Sequence, residues 1–150
     1  MRVSHFFRKP AVAIPAGGTL ATAAGLMDEH AVGAVVIVDG DNRPVGIVTD
    51  RDIAVRGVAR RLPPDARVDA VMSTELVTLA VDADVTEAIA AFDRHPFRRL
   101  PLVENGRVVG MLTVDDLVVG AVADLTRLLR PVLDQVLFGH PEPKAPVLAG

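Results

Sequence analysis

The sequence predicts an α/β protein made of two β-α-β-β-α units that pack through their sheets about a pseudo-twofold axis. Three observations carry this prediction. The chain of 150 residues matches itself when shifted by 65 positions, and by 64 after one turn, and self-similarity at a fixed spacing marks a recurring structural unit. Each copy passes at the same place from a one-faced helical stripe to two apolar runs joined by a tight turn. Neither copy is long enough to bury two helices and a sheet alone, so each must cover the other.

The copies span residues 3–59 and 68–122, joined by a polar, proline-rich linker at 60–67 that contains Pro63 and Pro64. Val3-Ser4-His5-Phe6-Phe7 aligns with Val68-Asp69-Ala70-Val71-Met72 as a lead-in. A short apolar stretch follows, Val12-Ala13-Ile14 in one copy and Leu76-Val77-Thr78-Leu79 in the other. Next comes a one-faced helix, with Leu20, Ala23, Ala24 and Met27 matched by Val85, Ala88, Ile89 and Phe92. Thr19 and Asp84 stand at the N-cap positions, and Asp84 with Glu87 has capping-box spacing. Two strands then form a hairpin, 35–38 with 45–48 and 100–103 with 108–112. Asn105-Gly106 supplies the second turn, because both residues tolerate positive φ. A second helix starts at Asp50 in one copy and at Val114 in the other.

The helical pattern after Asp116 runs on through Leu125, Leu128 and Leu129 into a C-terminal extension at 123–139. Pro131 is expected to kink or break it. The part beyond Pro131 is too apolar for a lone surface helix, so it should pack on the repeats or on a second subunit. The proline-rich tail, 140–150, is expected to be flexible.

Composition narrows the function. Cysteine is absent, which excludes disulfides, zinc–thiolate sites and thiol nucleophiles. The start has charges but no apolar run behind them, and no stretch approaches a membrane span, so a cytoplasmic protein with no membrane partner is expected. A net charge of −3 with neither Trp nor Tyr argues against nucleic acid as a partner.

The runs VGAVVIVDGDNRPVGIVTDRDI and RRLPLVENGRVVGMLTVDDL together resemble tandem cystathionine-β-synthase (CBS) domains, a pair often called a Bateman module. The lead-in Val68-Asp69-Ala70-Val71-Met72-Ser73 resembles that family's strand-and-Met start, whereas Phe6-Phe7-Arg8 departs from it. The resemblance covers about residues 3 to 122. It implies a non-catalytic regulatory module that binds an adenine nucleotide (AMP, ADP or ATP) or an adenosyl ligand such as S-adenosylmethionine between the repeats, with no cofactor required. It also implies a homodimer and an effector protein that the sequence does not name.

Within this resemblance the candidate ligand-binding residues are Thr49 and Asp52, Thr113 and Asp116, and Arg98, Arg99, Ala34 and Val35. Both Thr-x-x-Asp sets follow a glycine-led strand at a helix start, where unpaired N–H groups favour phosphate. The carboxylate accepts from a ribose diol, and the hydroxyl reaches ribose or phosphate. The same spacing is also a capping box, worth about 1 kcal/mol without any ligand. Arg98-Arg99 aligns with Gly33-Ala34, so the two clefts should differ. The expectation is that Asp116, Arg98 and Arg99 share a cleft walled by Ala34 and Val35, and that this cleft binds phosphorylated ligand better than the one holding Asp52.

His30 and His95 recur at matching positions near helix ends. There a His complements the helix dipole, so no metal site is assigned. No nucleophile, base and orienting group stand in a recognisable pattern, so no catalytic residue is assigned either. The competing reading is a ligand-independent structural or stress-associated dimer that acts through protein contacts, in which the Thr/Asp sets serve only as caps.

Overall fold

The computed structural model describes residues 1–7 and 10–139; the tail expected to be flexible lies outside them. The first repeat contains β1 (Ala13–Pro15), α1 (Leu20–His30), β2 (Ala34–Val38), β3 (Pro44–Thr49) and α2 (Asp50–Asp52), which continues as a π-helical stretch over Ile53–Val58. The second contains β4 (Leu79–Ala80), α3 (Val85–Arg94), β5 (Arg99–Glu104), β6 (Arg107–Thr113) and α4 (Val114–Leu137). This is the expected order, twice. The sheets run β1-β2-β3 and β4-β5-β6, each with one parallel and one antiparallel pairing. The registers correspond as well: Ile14 pairs Ile37 as Leu79 pairs Leu102.

All five residues of β2 are buried, because the strand is covered on both faces. Val35 and Ile37 point into a helix-side core with Leu20, Ala23 and Met27. Val36 and Val38 meet Val108 and Met111 of the other repeat, which joins the two sheets. The first turn reinforces the joint. Val108 N donates to the Asn42 carbonyl at 3.0 Å, and Asn42 Nδ2 donates to the Val108 carbonyl at 3.2 Å.

The lead-ins cross over. Val68 and Val71, both fully buried, complete the core of the first repeat, while Val3 and Phe6 complete that of the second. Each fully buried valine contributes roughly 1.5–3 kcal/mol, enough to fix a short segment. The residues just before each lead-in also serve the start of a first helix, in each case that of the repeat whose core the lead-in completes. Leu20 N donates to the Ala66 carbonyl at 2.9 Å, and Val85 N to the Met1 carbonyl at 2.7 Å. Glycines make room on the sheets: a Cβ on Gly46 would fall 2.6 Å from Met72 Sδ, and one on Gly110 would fall 2.9 Å from the Phe7 ring. Phe7 therefore occupies the place that Met72 takes in the other half.

The repeats differ at one strand. Val36 N donates to the Val12 carbonyl at 2.9 Å, continuing the contact between β1 and β2. Its counterpart, Pro101, has no N–H. The ladder of β4 with β5 accordingly begins only at Leu79–Leu102, which leaves Leu76 and Val77 free to line a cleft.

One half of each expectation about the C-terminal extension is corrected: the break at Pro131 and the packing on the repeats. The helix runs through Pro131 unbroken as far as Leu137. Proline removes one hydrogen bond, and the carbonyl it frees faces solvent on a fully exposed helix. Packing of the extension on the repeats is also absent, since every described residue after Asp124 is exposed.

Candidate functional site

β3 ends at Thr49 and β6 at Thr113, each extended in backbone and each the N-cap of the helix that follows. Both capping boxes are complete. Asp52 N donates to Thr49 Oγ1 at 3.1 Å, and Thr49 N to Asp52 Oδ2 at 2.9 Å. Asp116 N donates to Thr113 Oγ1 at 3.0 Å, while Asp116 Oδ2 accepts from Thr113 N and Thr113 Oγ1 at 2.9 and 2.8 Å. One oxygen of each carboxylate is thus engaged in the cap. The other, Asp116 Oδ1, accepts no hydrogen bond among the described residues, and Asp52 Oδ1 lies 3.9 Å from Arg56 Nε. Capping and ligand contact are therefore compatible.

Most amides at the two helix starts are already partnered within the chain. Asp50 N donates to the Gly33 carbonyl at 3.0 Å and Val114 N to that of Arg98 at 3.1 Å. Arg51 N is taken by Asp50 Oδ1 at 2.8 Å. With these amides already partnered, charge compensation falls to arginine side chains.

Two clefts flank the joint between the sheets, and each combines parts of both repeats. The smaller, of about 360 Å³, brings Thr113 and Asp116 together with Val32, Gly33, Ala34 and Arg99. The larger, of about 770 Å³, brings Thr49 and Asp52 together with Arg51, Arg98 and Arg99 over an apolar lining of Ile47, Leu76, Val77 and Pro101. Both volumes fall in the range of small-molecule sites.

This arrangement corrects the expected partition of the site. Arg98 does not share a cleft with Asp116; it stands in the Asp52 cleft. Arg99 lines both. Ala34 lies in the Asp116 cleft as expected, but Val35 is fully buried in the first core and walls neither. The cause is the crossed stacking of the sheets: the start of β5 in one repeat faces the end of β3 in the other. The cationic side chains consequently gather around Asp52, and the Asp116 cleft has Asp115 where its counterpart has Arg51.

Several lining residues carry no motif signal. Gly33 is the clearest: a Cβ there would fall 2.7 Å from Arg99 Nη2 and 3.3 Å from Asp50 Oδ2, so the guanidinium lies directly over the glycine. His95 and Phe97 stack at 4.8 Å with 11° between their rings, and both line the larger cleft. The recurrence of His30 and His95 marked the first of these positions but was read as a helix-end role, and nothing in the sequence marked Phe97. Among the described residues, no group of three or more His, Asp and Glu is gathered to hold a metal ion.

The family profile described as CBS domain matches residues 3–57 and 68–121. The chain belongs to the CBS-domain family. It is a tandem CBS pair, 37% identical over 106 residues to the CBS domain-containing protein YhcV of Bacillus subtilis, covering 71% of this chain and 75% of that one. It is 33% identical over 100 residues to hypoxic response protein 1 of Mycobacterium tuberculosis, covering 66% and 70%. Among solved structures, a CBS domain protein from Pyrobaculum aerophilum complexed with AMP is 30% identical, with a TM-score of 0.74 over 85% of this CBS pair and 99% of that chain. The pair spans between 47% and 65% of the length of the first curated relatives it matches.

Proposed function

We propose that this CBS pair is a non-catalytic regulatory module that binds an adenine nucleotide or adenosyl ligand and relays its presence to a partner protein. The single observation behind this reading is the convergence of Arg51, Arg98 and Arg99 on Thr49 and Asp52 in the larger cleft. The arginines would meet phosphate oxygens. Asp52 would accept from ribose hydroxyls through the oxygen its cap leaves spare. The apolar lining and the His95–Phe97 pair would shelter the base. The similarity to a CBS protein solved with AMP supports the ligand class. The module is proposed to act in the cytoplasm as a homodimer, with neither membrane nor nucleic acid as a partner. No helix among the described residues is long and apolar enough to cross a membrane.

Calorimetric titration with AMP, ADP, ATP and S-adenosylmethionine tests the reading. Saturable binding of at least one is expected, with a matching rise in melting temperature. No heat and no stabilisation at millimolar ligand would refute it. The competing reading, a structural or stress-associated dimer acting through protein contacts, is favoured by the complete capping boxes, which satisfy Thr49, Asp52, Thr113 and Asp116 without a ligand.

A further inference from the structure

Past the second repeat, α4 continues as a helix with no cover among the described residues. The residues matched by the family profile end at 121, and every described residue after Asp124 is exposed. Val118, Val122, Leu125, Leu129, Val132 and Val136 follow one another at spacings of 4, 3, 4, 3 and 4. This is the seam of a helix that pairs with another helix by knobs into holes. All six side chains are between 45% and 72% exposed. The stripe is about 27 Å long at the α-helical rise.

We propose that this stripe is a homotypic seam through which α4 of one chain pairs with α4 of a second copy. The inference rests on the homodimer reading above and names the surface that makes the dimer. Three features select a second copy as the occupant. The seam and its apolar neighbours Val119, Leu128 and Leu133 present on the order of 800 Å², the share one partner contributes to a stable dimer. No charge flanks the seam. Its remaining flanking positions include Thr126, whose hydroxyl is already given to the Val122 carbonyl at 2.8 Å, and Gln135. Partners of different sequence are usually chosen by opposite charges at such positions, whereas an uncharged stripe matches itself. The charges of the extension lie on the opposite face, where Arg127 pairs within the helix with Asp124 at 3.5 Å. Pro131 belongs to that outer face too, so its ring does not interrupt the seam.

The chain contains no cysteine, so single cysteines report contacts without background. Under mild oxidation, Leu129→Cys and Val136→Cys should each form covalent dimers, while Arg127→Cys on the outer face should not. Leu125→Glu with Leu129→Glu should raise the dimer dissociation constant at least about 100-fold by sedimentation, with circular dichroism and thermal melting showing the repeats still folded. A full-length chain that sediments as a monomer would overturn both the homodimer reading and the seam. A dimer that persists in the double glutamate variant, or that cross-links equally at 127 and 129, would overturn the seam and leave the homodimer reading standing.

Discussion

The two clefts are related by the repeat, yet they are not two versions of one site. The Asp116 cleft has glycine and alanine where the Asp52 cleft has Arg98 and Arg99, and Asp115 where the other has Arg51. The Asp52 cleft is also about twice as large, 770 against 360 Å³. Pro101 contributes to this by releasing Leu76 and Val77 from the strand ladder. Duplication preserved the backbone frame and both caps, while substitutions at a few lining positions separated the electrostatics. Arg99 belongs to both clefts, so a ligand that draws its guanidinium one way removes it from the other.

The largest effect expected from breaking this asymmetry is that of Arg98→Ala with Arg99→Ala. Two charge-assisted contacts at roughly 1.5–3 kcal/mol each predict at least a 100-fold loss of AMP affinity by calorimetry; an unchanged affinity would show that the arginines face water. Asp52→Asn keeps an acceptor for the cap and should weaken AMP binding about tenfold. Asp116→Asn, the same change in the other cleft, should alter it less than about twofold, and the reverse ranking would assign the nucleotide to the smaller cleft. Gly33→Ala should displace Arg99 and lower affinity about fivefold with little change in melting temperature. Pro101→Val should make the repeats more alike by supplying an N–H toward the Val77 carbonyl. One added hydrogen bond would raise the melting temperature by about 3 °C, and no gain would mean the lead strand is held away by something else.

The smallest effect concerns the lead-ins. The Met1 ammonium, 2.8 Å away, together with the Thr86 amide and hydroxyl, holds the Asp84 carboxyl well below the usual carboxylate range. A depressed folded-state pKa stabilises the fold fully above the ordinary carboxylate value of about 4 and is lost as pH falls further. Protection factors at residues 3–7, corrected for intrinsic exchange, should therefore fall on acidification below pH 4 more than those at residues 68–72. An equal fall in both segments would place the acid-sensitive contact elsewhere.

Much of the fold was legible because it rests on local patterns. Thr19 and Asp84 cap where their spacing says they should. The Asn105-Gly106 turn takes positive φ at both residues, and α2 and α4 begin at Asp50 and Val114. The Thr-x-x-Asp sets were equally legible, since a cap is built from neighbours in sequence. Pro131 does not break the helix because its penalty depends on what surrounds the freed carbonyl, and here the neighbouring residues are exposed. Val35 misled because a strand covered on both faces has no exposed side for periodicity to mark.

The sequence by itself determined the duplication, the order of elements in each repeat, the caps and the inequality of Arg98-Arg99 with Gly33-Ala34. Only the tertiary structure decided which Thr-x-x-Asp set those arginines face, that each lead-in completes the other repeat's core, and that no other described residue covers the stripe on α4. The physical reason is range. Capping, turn geometry and hydrophobic period act over a few residues, whereas bringing the start of β5 to face the end of β3 across a cleft depends on how two twisted sheets cross, which no local pattern records.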